Sequence, residues 1–185
     1  MKYVKPLRLF EQMLKRKVSK RGRFLGLDVG DKYVGLSISD PKNKIASPLS
    51  VLLRKKNTID LMAEDFRSLI SEFNLEGFIV GYPFNRQQNA ADAVQVKLFI
   101  DDLSATKKLE DMKYAYWNEG FTSKNLTVYF SSQGVELLLN PLDLHPVEHK
   151  TILDKFAAVG ILQEYLDNAN RKVNLKANVL RPIIN

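Results

Sequence analysis

Apolar positions along this chain recur with two periods, and the switches between them mark its elements. The run Phe24 to Asp40, FLGLDVGDKYVGLSISD, is nearly continuous in apolar residues except at Gly30-Asp31-Lys32. It predicts two strands joined by a tight turn, of the kind buried on both faces at the centre of a sheet. A third extended stretch, Ile45–Leu53, follows the turn DPKNK. The period then becomes helical: Ile59, Met62, Phe66, Leu69, Ile70 and Phe73 share one face, with Asn57 or Thr58 placed to cap it. GFIVGYP reads as a short buried strand, residues 89–104 as a second helix, and KYAYWNE as a further strand ending at Glu119. Thr122 to about Asn140 reads as mostly helical with a break near Gly134, and NPLDLHPVEH as a loop. Residues 150–168, KTILDKFAAVGILQEYLDN, predict a strong terminal helix, followed by an irregular tail or a short added strand. A three-strand meander followed by alternating helices and strands is an α/β layout, a mixed sheet with helices on its faces.

Charge changes this picture at one end. Residues 1–23 hold nine Lys or Arg and a single acid, Glu11, so the formal excess of +7 is concentrated there and the remainder is nearly neutral. The expected organisation is a basic N-terminal arm (1–23), a globular α/β domain (24–170) and a C-terminal tail (171–185). A basic arm beside a globular domain suits phosphate backbones. The same segment also reads as a solvated helix with an apolar stripe (Val4, Leu7, Phe10, Leu14), or as part of an organelle-targeting segment. Cysteine is absent, which excludes disulfides and thiolate metal sites and fits a reducing, intracellular setting. No apolar run is long enough to span a bilayer. The cytoplasm is the expected location, with a chloroplast or mitochondrion as the alternative if residues 1–23 are a targeting segment.

Three carboxylates stand at element ends. Asp28 interrupts the apolar first strand, where an unpaired charge costs several kcal/mol; a turn, a lysine or a metal ion could satisfy it. Glu119 ends the last core strand. Asp154 begins the buried stripe of the terminal helix, on one face with Ala157, Ala158, Ile161, Leu162 and Tyr165. Each has an ordinary reading: turn acceptor, solvated strand end, first-turn acid favoured by the helix dipole. Together they form an oxygen-only set suited to Mg²⁺, with Mn²⁺ as the alternative. Two such ions roughly 3.5–4 Å apart can activate a water and stabilise the leaving oxygen of a phosphoryl displacement.

The segments LGLDVGDKYVGLSISDPKNKIASPL, FIVGYPFN, NEGFTS and KTILDKFAAVGILQEYLD resemble, in this order, the YqgF/RuvX family. Its members have an RNase H-like fold and are described as Holliday junction resolvases or pre-16S ribosomal RNA nucleases. The likeness covers roughly residues 24–168. It places the family's D-x-G on Asp28 and Gly30, with the basic residue after it on Lys32. V-G-x-P falls on Val80, Gly81 and Pro83, with the nearby Asn on Asn85. D-E-R-x-[ST] falls on Asn118 through Thr122, and the terminal-helix Asp on Asp154 with its preceding Lys on Lys150. The resemblance thus implies a metal set of Asp28, Glu119 and Asp154. Departures are Asp31 in place of the usual Thr, and Asn118-Glu119-Gly120 in place of Asp-Glu-Arg, which removes a phosphate contact.

The expectation is a Mg²⁺-dependent nuclease that processes a ribosomal RNA precursor. The alternatives are a resolvase of branched DNA and a non-catalytic nucleic-acid-binding descendant. Lys32, Asn85, Arg86, Thr122, Lys124 and Lys150 are the candidate nucleic-acid contacts, and a monomer and a homodimer both fit. His145 and His149 lack a third ligand for zinc. Tyr114, Tyr116 and Trp117 read as core rather than as a base-stacking platform. An actin-type ATPase would need a second such domain, for which 185 residues are too few.

Overall fold

In the computed structural model, residues 1–55, 58–83, 90–118 and 146–179 are described. Six strands form one sheet: β1 (Lys2–Tyr3), β2 (Arg23–Val29), β3 (Tyr33–Ser39), β4 (Ala46–Leu53), β5 (Leu75–Tyr82) and β6 (Lys113–Asn118). Their spatial order is β1-β6-β5-β2-β3-β4. β2, β3 and β4 pair antiparallel, while β5 joins β2, β6 joins β5 and β1 joins β6 in parallel. The helices are α1 (Pro6–Leu14), α2 (Ile59–Phe73), α3 (Ala90–Ala105) and α4 (Pro146–Val179).

Side-chain alternation splits the central strands between two cores. Leu25 and Leu27 of β2 and Val34, Leu36 and Ile38 of β3 point to the face covered by α2 and α3, where they meet Met62, Phe66 and Phe99. Phe24 of β2, Ile79 of β5 and Ala115 of β6 point to the other face, where they meet α1 and the stripe Ile161, Leu162 and Tyr165 of α4. Thr58 occupies the N-cap position of α2 without a capping hydrogen bond from its side chain. At the other end of α2, Asn74 adopts the left-handed conformation (φ 50°) and closes the helix.

Three expectations need correction. Residues 2–14 of the basic segment are built into the fold. Lys2–Tyr3 adds a strand beside β6, and Leu9, Phe10 and Met13 are buried. The inward stripe is therefore Val4, Leu9, Phe10 and Met13 rather than Val4, Leu7, Phe10 and Leu14, because α1 starts only at Pro6 and its phase is set from there. The terminal helix is longer than residues 150–168. It begins at Pro146, inside the expected loop, and runs to Val179, inside the expected tail. Proline suits a helix's first turn, where its missing N–H has no acceptor to lose, and nothing from Asn168 to Val179 interrupts a helix. The expected helical stretch Thr122–Asn140 lies outside the described residues.

Candidate active site

Glycine positions the acids. β2 presents Phe24, Gly26 and Asp28 to the α4 face, and β3 presents Gly35, Ser37 and Ser39 there. In the antiparallel register Asp28 stands opposite Gly35, and Gly26 opposite Ser37. A Cβ on Gly35 would collide with the backbone carbonyl of Asp154, and one on Gly26 would come within 2.7 Å of the Leu162 Cβ. The stretch of α4 from Asp154 to Leu162 therefore lies directly on the sheet. Ser37 Oγ fastens it there, donating to the Ala158 carbonyl at 2.7 Å with both groups buried. Asp28 and Asp154 consequently flank one residue, Gly35, from two elements.

Because α4 begins at Pro146, Asp154 stands in its third turn and not in the first as expected, so the helix N-terminus does not account for it. Its Oδ2 is buried without a hydrogen-bond partner. Burial pushes the carboxyl up from the ordinary aspartate range, against the pull of the Lys150 ammonium. Lys150 Nζ lies 6.0 Å from the centre of the Tyr33 ring and Lys32 Nζ 5.5 Å from it. Two of the expected phosphate contacts are thus gathered at one aromatic ring, at the start of β3 beside the acids. Arg54 braces the β2–β3 turn: its backbone N–H donates to the Lys32 carbonyl at 2.8 Å and its Nη1 to the Gly30 carbonyl at 3.1 Å. Asp31, in the same turn, is exposed and borders a cleft with Arg54 and Lys55.

Among the described residues no third acid or histidine joins Asp28 and Asp154 in a metal-sized cluster. Glu119 follows directly on Asn118, the last residue of β6, and lies outside the described residues, as do Asn85, Arg86, Thr122, Lys124, Gly120 and His145. For His149, only the backbone is described. The aromatic residues of β6 are half-buried and pack at the edges of the two cores. Tyr114 and Tyr116 pack with Tyr3 and Tyr82, while Trp117 meets Tyr165 edge-on at 5.5 Å and donates from Nε1 to Glu164 Oε2 at 3.2 Å.

Sequence reasoning named the acids and two lysines but missed Gly26, Gly35, Tyr33 and Arg54. The glycines carried a signal: both lie in strands, where glycine is disfavoured unless another backbone must approach closely. Arg54 carried none, because its role depends on a turn more than 20 residues away.

The family described as RuvX, Holliday junction resolvase, matches residues 22–168. The chain belongs to the RuvX family. It is 33% identical over 155 residues to a protein of Beijerinckia indica named "Putative pre-16S rRNA nuclease", covering 83% of this chain and 86% of that one. It is 32% identical to a protein of the same name from Thermoanaerobacter pseudethanolicus, covering 81% of this chain and 99% of that one. Among solved structures it is similar to Thermus thermophilus RuvC, with 15% identity, a TM-score of 0.48, and coverage of 80% of this chain and 96% of that one. The RuvX match begins just before β2, so β1, α1 and the last turns of α4 lie outside it. The mixed six-stranded sheet with helices on both faces is the α/β layout expected from the sequence.

Proposed function

We propose that this protein is a Mg²⁺-dependent nuclease that hydrolyses phosphodiester bonds in a ribosomal RNA precursor. One observation carries the reading: Asp154 buries a carboxylate oxygen with no hydrogen-bond partner, on a helix seated against the residue opposite Asp28. A buried, unpartnered oxygen is costly, and a hard divalent cation is the chemistry that offsets it. The donor set fits the ion: carboxylates only, on a strand and a helix that a serine and two glycines hold together. Asp28, Glu119 and Asp154 would hold the metal. When bound, Mg²⁺ supplies charge neutralisation at the phosphate and lowers the pKa of water. The chain's own residues do the rest. The strand and helix fix the carboxylates in place, Lys32 and Lys150 bring positive charge to the scissile phosphate, and Arg54 keeps the turn that carries Lys32 in register. The family description favours a second substrate, the four-way DNA junction, for the same chemistry.

The test is cleavage of a pre-16S ribosomal RNA and of a four-way DNA junction by wild type, Asp28→Asn and Asp154→Asn in Mg²⁺. Cutting is expected to fall by at least a hundredfold in each variant. Mg²⁺ is expected to raise the melting temperature of wild type but not of Asp154→Asn. Cutting that persists in both variants would sink the proposal, and the substrate preferred by wild type chooses between RNA and junction.

A further inference from the structure

A second charged surface lies at the opposite end of the sheet from the acids, and its parts come from segments far apart in sequence. β2 starts there with Arg23 and reaches Asp28 five residues later, a span of about 17 Å at ~3.3 Å per residue. β3 ends there with Ser39, and α4 arrives there after leaving Asp154 at the other end. Three pieces meet at this pole: the loop after α1, the turn between β3 and β4, and the last turns of α4.

Asn43 joins them. It is 1% exposed, sits at φ 53°, and uses every polar group of its side chain and backbone. Its Nδ2 donates to the Gly22 carbonyl at 3.0 Å, and its Oδ1 accepts from Ser39 Oγ at 2.6 Å. Its backbone N–H donates to the Asp40 carbonyl at 2.9 Å, and its own carbonyl accepts from Asn170 Nδ2 at 2.9 Å. Gln163 adds a second tie from α4, donating to the Lys44 carbonyl at 2.9 Å. Left-handed backbone and a fully satisfied side chain make this a fixed junction.

What the junction presents outward is cationic. Lys17 and Lys20 come from the loop, Lys42 and Lys44 from the turn, and Arg171 and Lys172 from α4. All six are exposed, and none forms an ion pair among the described residues. The acids nearby are engaged elsewhere. Asp40 accepts three backbone N–H groups of its own turn, Glu11 pairs with Lys176 at 2.6 Å, and Glu76 is buried beneath Arg16. Cations on a single flexible tail would lose entropy on binding; these six stand on three rigid supports.

We propose that this pole is a second nucleic-acid contact, a phosphate-backbone clamp that grips the double-stranded flank of the substrate away from the scissile bond. It rests on the reading of the protein as a nuclease and adds where the substrate's length is held. At ~3.4 Å per nucleotide step, the span of about 17 Å is about five steps. The scissile phosphate and the clamp therefore engage the same molecule only when the flank extends at least that far. The contact reads charge and not bases, because lysine and arginine at phosphates carry no sequence information.

The test is binding of a duplex of about 20 base pairs, as RNA and as DNA, to wild type and to a variant carrying Lys17→Gln, Lys20→Gln, Lys42→Gln and Lys44→Gln. It is done in EDTA so that nothing is cut, across a series of salt concentrations. The variant is expected to melt with wild type, to bind at least tenfold more weakly at low salt, and to lose about 2–4 from the slope of log K against log salt. In Mg²⁺ it should show a raised KM with kcat unchanged on a substrate with a long flank, and no change on one trimmed below five base pairs. Equal affinity and equal salt slope in the two proteins would overturn the clamp, as would a wild type that binds neither duplex. A clamp confirmed in EDTA on a protein that never cuts would leave this inference standing and remove the nuclease reading. Cutting with an unaffected variant would do the reverse.

Discussion

At the residue scale, two carboxyls on α4 face the sheet, and their partners separate their roles. Asp154 has an orphaned oxygen beside a second acid and two lysines. Glu164, nearly three turns further on, has one oxygen held by Trp117 Nε1 and the other buried without a partner. Unlike Asp154, it has an indole N–H donor on one of its oxygens. Burial raises the Glu164 carboxyl above its ordinary range; the Trp117 hydrogen bond works against this and Asp167 adds to it. A carboxyl whose pKa is higher folded than unfolded binds its proton more tightly in the native state. Stability is then greatest below the unfolded value and falls as pH rises through the folded one. Glu164→Gln, which keeps the shape without the charge, is therefore expected to melt higher than wild type at pH 7–8, with the gap closing toward pH 4. Melting curves across that range check it, and a variant that melts lower throughout would show that the carboxylate is needed charged. Asp154 was legible in the sequence because charge on an apolar stripe stands out. Glu164 was not, because its partner Trp117 lies 47 positions away and only the folded sheet brings them together.

At the scale of elements, strands and helices were largely readable, and their seating was not. Continuous apolar runs located β2, β3 and β5, and the 3.6-residue period located α2 and the inward stripe of α4. Those patterns say which face is buried and leave open how close the neighbour comes. Here closeness decides the site, since α4 lies on Gly26 and Gly35 with no side chain between. A methyl group at Gly35 meets the Asp154 carbonyl, a backbone atom that cannot rotate away, so the helix must lift or the strand must bend. Gly35→Ala is expected to cost upwards of about 1–3 kcal/mol, the usual penalty of overpacking, measured by urea unfolding. It should also abolish cleavage, because lifting α4 carries Asp154 away from Asp28. Gly77→Ala is the comparison: its nearest contacts are the tips of the Leu9 side chain at 3.1 and 3.3 Å and the Lys113 carbonyl at 3.1 Å, far from both acids. It should reduce stability and leave kcat intact. If Gly35→Ala cuts as fast as wild type, the seating of α4 does not set the site.

At the scale of the whole molecule, the N-terminal segment changes from a charge anomaly to a structural part. Net charge is a sum and cannot distinguish a tail from a helix with one apolar face. Beneath the lysines, Leu9, Phe10 and Met13 are at most 1% exposed, and Phe10 meets Phe24 and Tyr165. Arg16 ties the segment to the sheet through Glu76, whose side chain is 1% exposed and stands 3.1 Å from Arg16 Nη1 and 3.6 Å from Lys113 Nζ. Removing one partner of a buried pair strands the other. Arg16 is itself half exposed and Lys113 stays, so Arg16→Ala is expected to cost about 1–3 kcal/mol, the usual penalty of a buried polar group losing a partner. That cost should shrink when Glu76→Gln is present, a double-mutant cycle that isolates the pair. Deleting residues 1–21 tests the same idea at full size. The remaining chain still contains the whole stretch, 22–168, that matches the RuvX family, yet it would expose Phe24, Tyr165 and the edge of β6. Three buried apolar side chains at about 1.5–3 kcal/mol each amount to much of the 5–15 kcal/mol by which a domain is stable. The truncated protein is therefore expected to aggregate or to melt far below the full chain in circular dichroism. A truncated chain that folds with an unchanged melting temperature would show instead that β1 and α1 are an appendage, and would return residues 1–23 to the status of a removable basic arm.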